Sequence, residues 1–194
     1  MKLIKLIQSF LPALFWGLVI FGFEEPHLAI MTLLCALIHE LGHFVFTPRE
    51  VRMRGVVSGF RIKPKGMLSY QSKILSYMGG PLANLIIALP ALMFFPVLGE
   101  YLRVFALLNL ATALSNLMPI EGYDGYGIIA TILEMRSAEA GGFAILQWVS
   151  RAIIMLMCIL SLYLIDRVDG GYWIFALFFS FTLKLVHKDI SGHF

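Results

Sequence analysis

The chain has 194 residues, of which 59% are hydrophobic and 14% are charged. Soluble domains carry about 25% charged and 45–50% apolar residues, so the composition argues against a water-soluble globular protein. The formal net charge is +3, but the basic residues cluster beside apolar blocks, which indicates orientation in a membrane rather than binding to nucleic acid. The two cysteines, Cys35 and Cys158, both lie inside apolar blocks and do not suggest a disulfide framework.

The apolar residues come in blocks of about 20, the length that a helix needs to cross a bilayer. The first block is preceded by Lys2 and Lys5 and is followed by Glu24-Glu25-Pro26 rather than by a small-residue cleavage site, so it is interpreted as an uncleaved span. Gly79-Gly80-Pro81 interrupts the third block, which indicates that its helix begins near Pro81. The prediction is an all-α integral membrane protein with about six spans, at 10–23, 28–47, 74–98, 101–117, 143–165 and 171–186.

The charges predict how these spans are oriented. Segment 48–73 holds seven basic residues and one acidic residue, and both termini are basic as well. With six spans these three regions fall on one side, which the positive-inside rule assigns to the cytoplasm. We therefore expect a multi-pass protein of a prokaryotic cell membrane with cytoplasmic termini. Val56, Val57, Phe60 and Ile62 lie between glycines in this segment, which predicts one or two short strands between the second and third spans.

The strongest chemical motif is HELGH at residues 39–43. Residues four apart share a helix face, so His39 and His43 can bind one zinc ion. Glu40, beside the first histidine, can reach a metal-bound water without being a ligand. Ionisable groups inside an apolar span are costly and usually functional. A metal site is therefore a better explanation than a chance pattern.

A catalytic zinc usually has three protein ligands and one open position, so the third ligand comes from elsewhere in the chain. The other histidines lie at the far end of the second span or in the C-terminal tail. Glu121 and Asp124 lie in NLMPIEGYDG, residues 116–125, where proline and glycine break the fourth span. Irregular backbone at membrane depth is tolerated only inside protein or beside a water-filled cavity. From these residues alone, both acids remain candidates for the third ligand. The alternative is an ordinary interfacial loop in which both acids are solvated.

Three motifs together resemble one family. HELGH at 39–43, GPLAN at 80–84, and NLMP at 116–119 followed by Asp124-Gly125 resemble, in order and spacing, the site-2 protease family of intramembrane metalloproteases. The resemblance covers residues 28–130. It is strongest for the compact six-span branch that includes a sporulation protease acting on a pro-sigma factor. A single membrane domain over the whole chain is expected, without the PDZ or CBS domain that some members carry.

The resemblance implies a set of site residues. His39, His43 and Asp124 would be the ligands of one zinc ion per chain, and Glu40 would be the general base that activates a zinc-bound water. Glu121 would be a neighbour and not a ligand. In one departure, Tyr126 follows Asp124-Gly125 where the family commonly has a second glycine.

Two asparagines are further candidates for substrate or oxyanion binding. The resemblance implies such a role for Asn84, while helix packing through small residues is the alternative for this stretch. Asn116 lies on one face of the fourth span together with Asn109 and Thr112, at spacings of three and seven residues. We expect that face to line the interior of the bundle.

The expected function is zinc-dependent endopeptidase activity in the bilayer, with a membrane protein bearing a transmembrane segment as substrate. No nucleic acid partner is expected, and the sequence does not identify a regulatory membrane subunit. Two alternatives stay open: a membrane protein that binds or transports metal, and an inactive family member that acts as a binding partner. A transporter would place acidic residues or histidines at several depths, whereas the sequence places them at one level.

Overall fold

The computed structural model describes residues 22, 25–47, 51–56, 59–64, 68–137 and 140–167. These residues form five helices and one antiparallel hairpin of two strands. In chain order the elements are α1 (Pro26–Phe46), β1 (Val51–Val56), β2 (Gly59–Pro64), α2 (Tyr70–Leu98), α3 (Glu100–Asn116), α4 (Asp124–Met135) and α5 (Ala140–Arg167).

Within the described ranges, three helical stretches are long and apolar enough to cross a membrane: Pro26–Phe46, Tyr70–Phe94 and Ala140–Tyr163. Helix α3 has 17 residues, fewer than the roughly 20 that a straight crossing needs. The predicted spans at 10–23 and 171–186 fall outside the described residues, residue 22 apart. Among the described residues the structure is therefore that of a helical membrane protein with three candidate spans, whereas the sequence predicts about six for the whole chain.

The distribution of apolar side chains supports a membrane environment. The interior is rich in small residues: Ala29, Ala88 and Ala106 have no exposed surface. Large apolar side chains point outward instead, with Met93 76% and Val97 83% exposed. Soluble monomers rarely expose large apolar patches, whereas membrane helices pack through small residues. This arrangement suits a protein whose outer surface meets lipid.

Helices α1 and α2 pack closely because glycines face each other. A Cβ on Gly79 would lie 2.7 Å from the Gly42 carbonyl oxygen and 3.0 Å from Cβ of Phe46. Packing, the alternative considered for this stretch, is thereby confirmed at Gly79. The predicted helix start near Pro81 is wrong, because α2 begins at Tyr70 and continues through this proline. Membrane helices tolerate an internal proline when neighbouring groups compensate for the lost backbone hydrogen bond.

Two glycines with positive φ set the connections around α3. Gly99, with φ of 95°, joins α2 to α3, and Gly122, with φ of 103°, lies in the turn before α4. Glycine adopts this conformation without the steric cost of a Cβ. The turn places Asp124 as the first residue of α4.

Helix α5 packs against the connection between α3 and α4 and forms a hydrogen bond with it. Ile120 is fully buried and packs in one apolar cluster with Ile154. The buried Ser150 Oγ accepts a hydrogen bond from the Glu121 N–H at 2.8 Å. The connection is therefore fixed to a neighbouring helix, which restricts where α4 begins.

The hairpin lies between α1 and α2, in the segment for which the sequence predicted short strands. Its register pairs Val51 with Pro64 and Val56 with Gly59. Among the described residues the sheet has these two strands alone.

Candidate metal centre

Two histidines of α1 and one aspartate of α4 meet in the interior. His39 and His43 are four residues apart and are 5% and 6% exposed. Their Nε2 atoms lie 3.2 Å apart. Asp124 Oδ2 lies 3.1 Å from His39 Nε2 and 3.3 Å from His43 Nε2. The structure thus brings together the three predicted ligands, and Glu121 is not part of this group.

The position of Asp124 follows from how α4 packs. A Cβ on Gly125 would overlap the Leu117 carbonyl oxygen, so the first turn of α4 lies directly against the end of α3. A Cβ on Gly127 would lie 2.5 Å from the Tyr77 ring, so the next turn lies against α2. Lys73 and Glu134 join the same two helices by an ion pair of 2.7 Å. These contacts hold the aspartate at the histidines.

Beside Asp124, burial raises the pKa of the Tyr123 phenol to about 12. That side chain therefore remains a neutral phenol at physiological pH and adds no charge to the site.

The hydrogen bonds of the two rings indicate where their protons are. His43 Nδ1 lies 2.7 Å from the Ser76 carbonyl oxygen, and His39 Nδ1 lies 2.9 Å from Asn84 Oδ1. Both partners are acceptors, so each Nδ1 donates, and in a neutral imidazole the other nitrogen then carries a lone pair. With both imidazoles neutral, the two Nε2 lone pairs and the Asp124 carboxylate face one another.

A bound cation would stabilise these acceptor atoms, which face one another without a donor. Asp124 Oδ2 and Glu40 Oε2 are both buried without a hydrogen-bond partner, and a buried polar group without a partner is costly. Tetrahedral zinc with nitrogen and oxygen ligands at about 2.0–2.2 Å separates those ligands by about 3.3–3.6 Å. The observed separations are 3.1–3.3 Å. The residues therefore fit a zinc ion.

Gly80 of α2 forms a wall of the site. A Cβ at this position would lie 2.5 Å from His39 Cε1 and 2.6 Å from Nε2 of both rings. Gly80 was not among the predicted site residues, although it belongs to the GPLAN motif. The Ser76 carbonyl was also missed, because any residue type supplies a backbone carbonyl and no sequence signal marks it.

The two asparagines occupy different positions. Both N–H bonds of Asn84 Nδ2 donate inside the protein, one to the Cys35 carbonyl at 3.0 Å and one to Asn109 Oδ1 at 2.8 Å. This leaves the amide without a hydrogen to donate to a substrate oxyanion. Asn116 Nδ2 donates to the Thr112 carbonyl of its own helix at 2.9 Å. A substrate role for Asn116 stays a prediction.

No protein-family model and no curated protein matches the sequence. A solved structure does match: "Site-2 Protease from Methanocaldococcus jannaschii", with a TM-score of 0.61. The match covers 87% of this chain and 85% of that one, at 18% sequence identity. Identity this low speaks for the fold and not for the chemistry. The chain is therefore similar in fold to a site-2 protease over most of its length, which agrees with the resemblance found in its motifs.

Proposed function

We propose that this chain is a zinc-dependent intramembrane endopeptidase that hydrolyses peptide bonds in or near the transmembrane segment of a membrane protein. The observation that carries the proposal is the convergence of two histidine Nε2 atoms and the Asp124 carboxylate beside Glu40, whose buried Oε2 has no hydrogen-bond partner. The fold, which is similar to that of a site-2 protease, supports the same conclusion.

Each side chain has a distinct task in this proposal. His39, His43 and Asp124 hold one zinc ion per chain. Zinc in such a site acts as a Lewis acid and lowers the pKa of a water molecule to about 7. Glu40 takes the proton from the attacking water and holds it until the leaving amine of the cut peptide receives it. Glu40 Oε2 is buried, which keeps bulk water from that oxygen.

The depth of the site suggests where the substrate is cut. His39 and His43 lie seven and three residues before Phe46, the last residue of α1. That places them about 4–10 Å from the end of this helix at 1.5 Å per residue. With six spans and the 48–73 segment in the cytoplasm, cleavage falls in the cytoplasmic part of the substrate's membrane segment. We propose this orientation and location on the basis of the charge pattern.

The substrate has to be extended at the site. A helical segment hides its carbonyls in backbone hydrogen bonds, so it must unwind locally before attack. An extended peptide can add to an exposed sheet edge. The β1–β2 hairpin, which directly follows α1 after four residues, is the sheet that we propose for this role.

The arrangement favours an enzyme over a metal transporter. Among the described residues, the buried histidines and acidic residues are His39, His43 and Asp124, and all three belong to one cluster. A transport path would place acidic residues or histidines at several depths. Glu40 further favours hydrolysis, since a binding site alone does not require a general base.

The test is Glu40→Gln in the full chain, co-expressed with candidate single-span membrane proteins. Zinc content should equal that of the parent, and cleavage should fall about 100- to 10,000-fold, the usual contribution of a general base. Glu100→Gln is the matched control, because that side chain is 69% exposed and pairs with Arg103 away from the site. Cleavage by Glu40→Gln at the parental rate would reject the proposal. Zinc uptake into proteoliposomes without any cleavage would identify a transporter.

A further inference from the structure

We propose that Asn84, supported by Asn109, is a positioning residue that fixes the proton of His39 on Nδ1 and so presents its Nε2 lone pair to the metal. Both asparagines are fully buried, with 0% exposed surface. Asn84 Oδ1 lies 2.9 Å from His39 Nδ1, and Asn84 Nδ2 lies 2.8 Å from Asn109 Oδ1. A chain of two amides therefore connects α3 through α2 to the ligand on α1.

Two backbone carbonyls set the direction of this chain. Asn109 Nδ2 donates to the Phe105 carbonyl at 2.9 Å, and Asn84 Nδ2 donates to the Cys35 carbonyl at 3.0 Å. A carbonyl can only accept, so at each asparagine it draws the amide nitrogen towards itself and turns the amide oxygen the other way. The oxygen of Asn109 then faces Asn84, and the oxygen of Asn84 faces His39.

The reversed arrangement is unfavourable at both ends. If the Asn84 amide turned over, its oxygen would face the Cys35 carbonyl and Asn109 Oδ1, which are both acceptors. Its nitrogen would then donate to His39 Nδ1 and force the proton of the neutral ring to Nε2, where it would block metal binding. Partners that hold the second nitrogen of a metal-bound histidine fix its tautomer and orientation. His43 obtains the same result from the Ser76 carbonyl.

This inference rests on the metal site proposed above but not on its protease activity. The test uses two substitutions of similar size. Asn84→Asp keeps an oxygen acceptor for His39 Nδ1, whereas Asn84→Leu removes it. If Asn84 serves packing alone, leucine should be tolerated at least as well as the buried aspartate. If it positions His39, aspartate should preserve the site better than leucine.

The first measurement is the tautomer of His39 in zinc-free full-length protein. It is read in detergent from long-range nitrogen–proton correlations of ¹⁵N-labelled histidine, with the signal assigned by its loss in His39→Gln. The parent and Asn84→Asp should carry the proton on Nδ1, and Asn84→Leu should shift it towards Nε2. The second measurement is zinc affinity by chelator competition. Loss of a supporting partner typically costs 10- to 100-fold, so we expect about that loss for Asn84→Leu and a smaller one for Asn84→Asp.

Thr112→Val is the control. Thr112 lies on the same helix as Asn109, and its partly buried hydroxyl donates to the Leu108 carbonyl of that helix at 2.8 Å. It should change neither the tautomer nor the zinc affinity. If Asn84→Leu fails to fold, Asn109→Ala takes its place and should shift the tautomer in the same direction to a smaller extent.

An unchanged tautomer in the variant that lacks the acceptor, or equal zinc affinity for the aspartate and leucine variants, would overturn the inference. The tautomer is measured without zinc and without substrate. Failure of the protease proposal, seen with Glu40→Gln, is therefore a separate outcome.

Discussion

Gly80→Ala probes the metal centre with one added methyl group. The new Cβ would lie 2.5–2.6 Å from atoms of both rings, whereas an ordinary contact begins at 3.4 Å. The rings of His39 and His43 would have to move by about 0.8–0.9 Å, but metal–ligand distances tolerate only about 0.2 Å. To bind zinc, the two rings would have to return to the positions in which they are too close to the new methyl group. Such overpacking costs about 1–3 kcal/mol, which corresponds to a loss of about 5- to 150-fold in zinc affinity.

The assay is chelator competition with purified protein, with thermal unfolding of the zinc-free chain recorded in parallel. Gly141→Ala is the matched control, because a Cβ at this position of α5 meets nothing within 4 Å. It should retain full zinc affinity and should not destabilise the helix, since alanine is the better helix former. Parental zinc affinity in Gly80→Ala would show that the glycine does not border the metal and that the ring positions described above are wrong.

Three further predictions concern the ligand, the topology and the hairpin. Asp124→Ala should lose cleavage and most bound zinc while Glu121→Ala keeps both; the opposite result, measured by metal content and product formation, would mean that the ligand lies three residues earlier. Single cysteines introduced in 48–73 should react with membrane-impermeant reagent only in inside-out vesicles, and labelling in intact cells would place this segment outside. Val57 lies between β1 and β2 in the sequence, outside the described residues. Val57→Pro should slow cleavage without changing zinc content, because proline cannot donate a backbone hydrogen bond to an added strand; an unchanged rate would argue against substrate binding by this segment.

The local parts of the site could be predicted because they depend on short-range spacing. Four residues between His39 and His43 place both rings on one face of any helix, and the apolar surroundings already predicted that this helix lies in a membrane. The break in the fourth span limited the third ligand to a short stretch of sequence. The choice of Asp124 over Glu121 came from a family resemblance. The prediction that α2 begins near Pro81 was wrong because it used a local signal alone. The structure shows α2 continuous through this proline, packed against α1 at Gly79.

The sequence by itself determined the membrane character, the paired histidines with their adjacent glutamate, and a turn able to bring an acid to them. These follow from composition and from the 3.6-residue period of the helix. Only the tertiary structure decided which acid meets the histidines, because that depends on the turn at Gly122 and on the close packing of α4 against α2 and α3. It also decided that the amide of Asn84 lies between His39 and Asn109. The direction of an amide is set by carbonyls on two other helices, and a linear sequence does not show which carbonyls will be near.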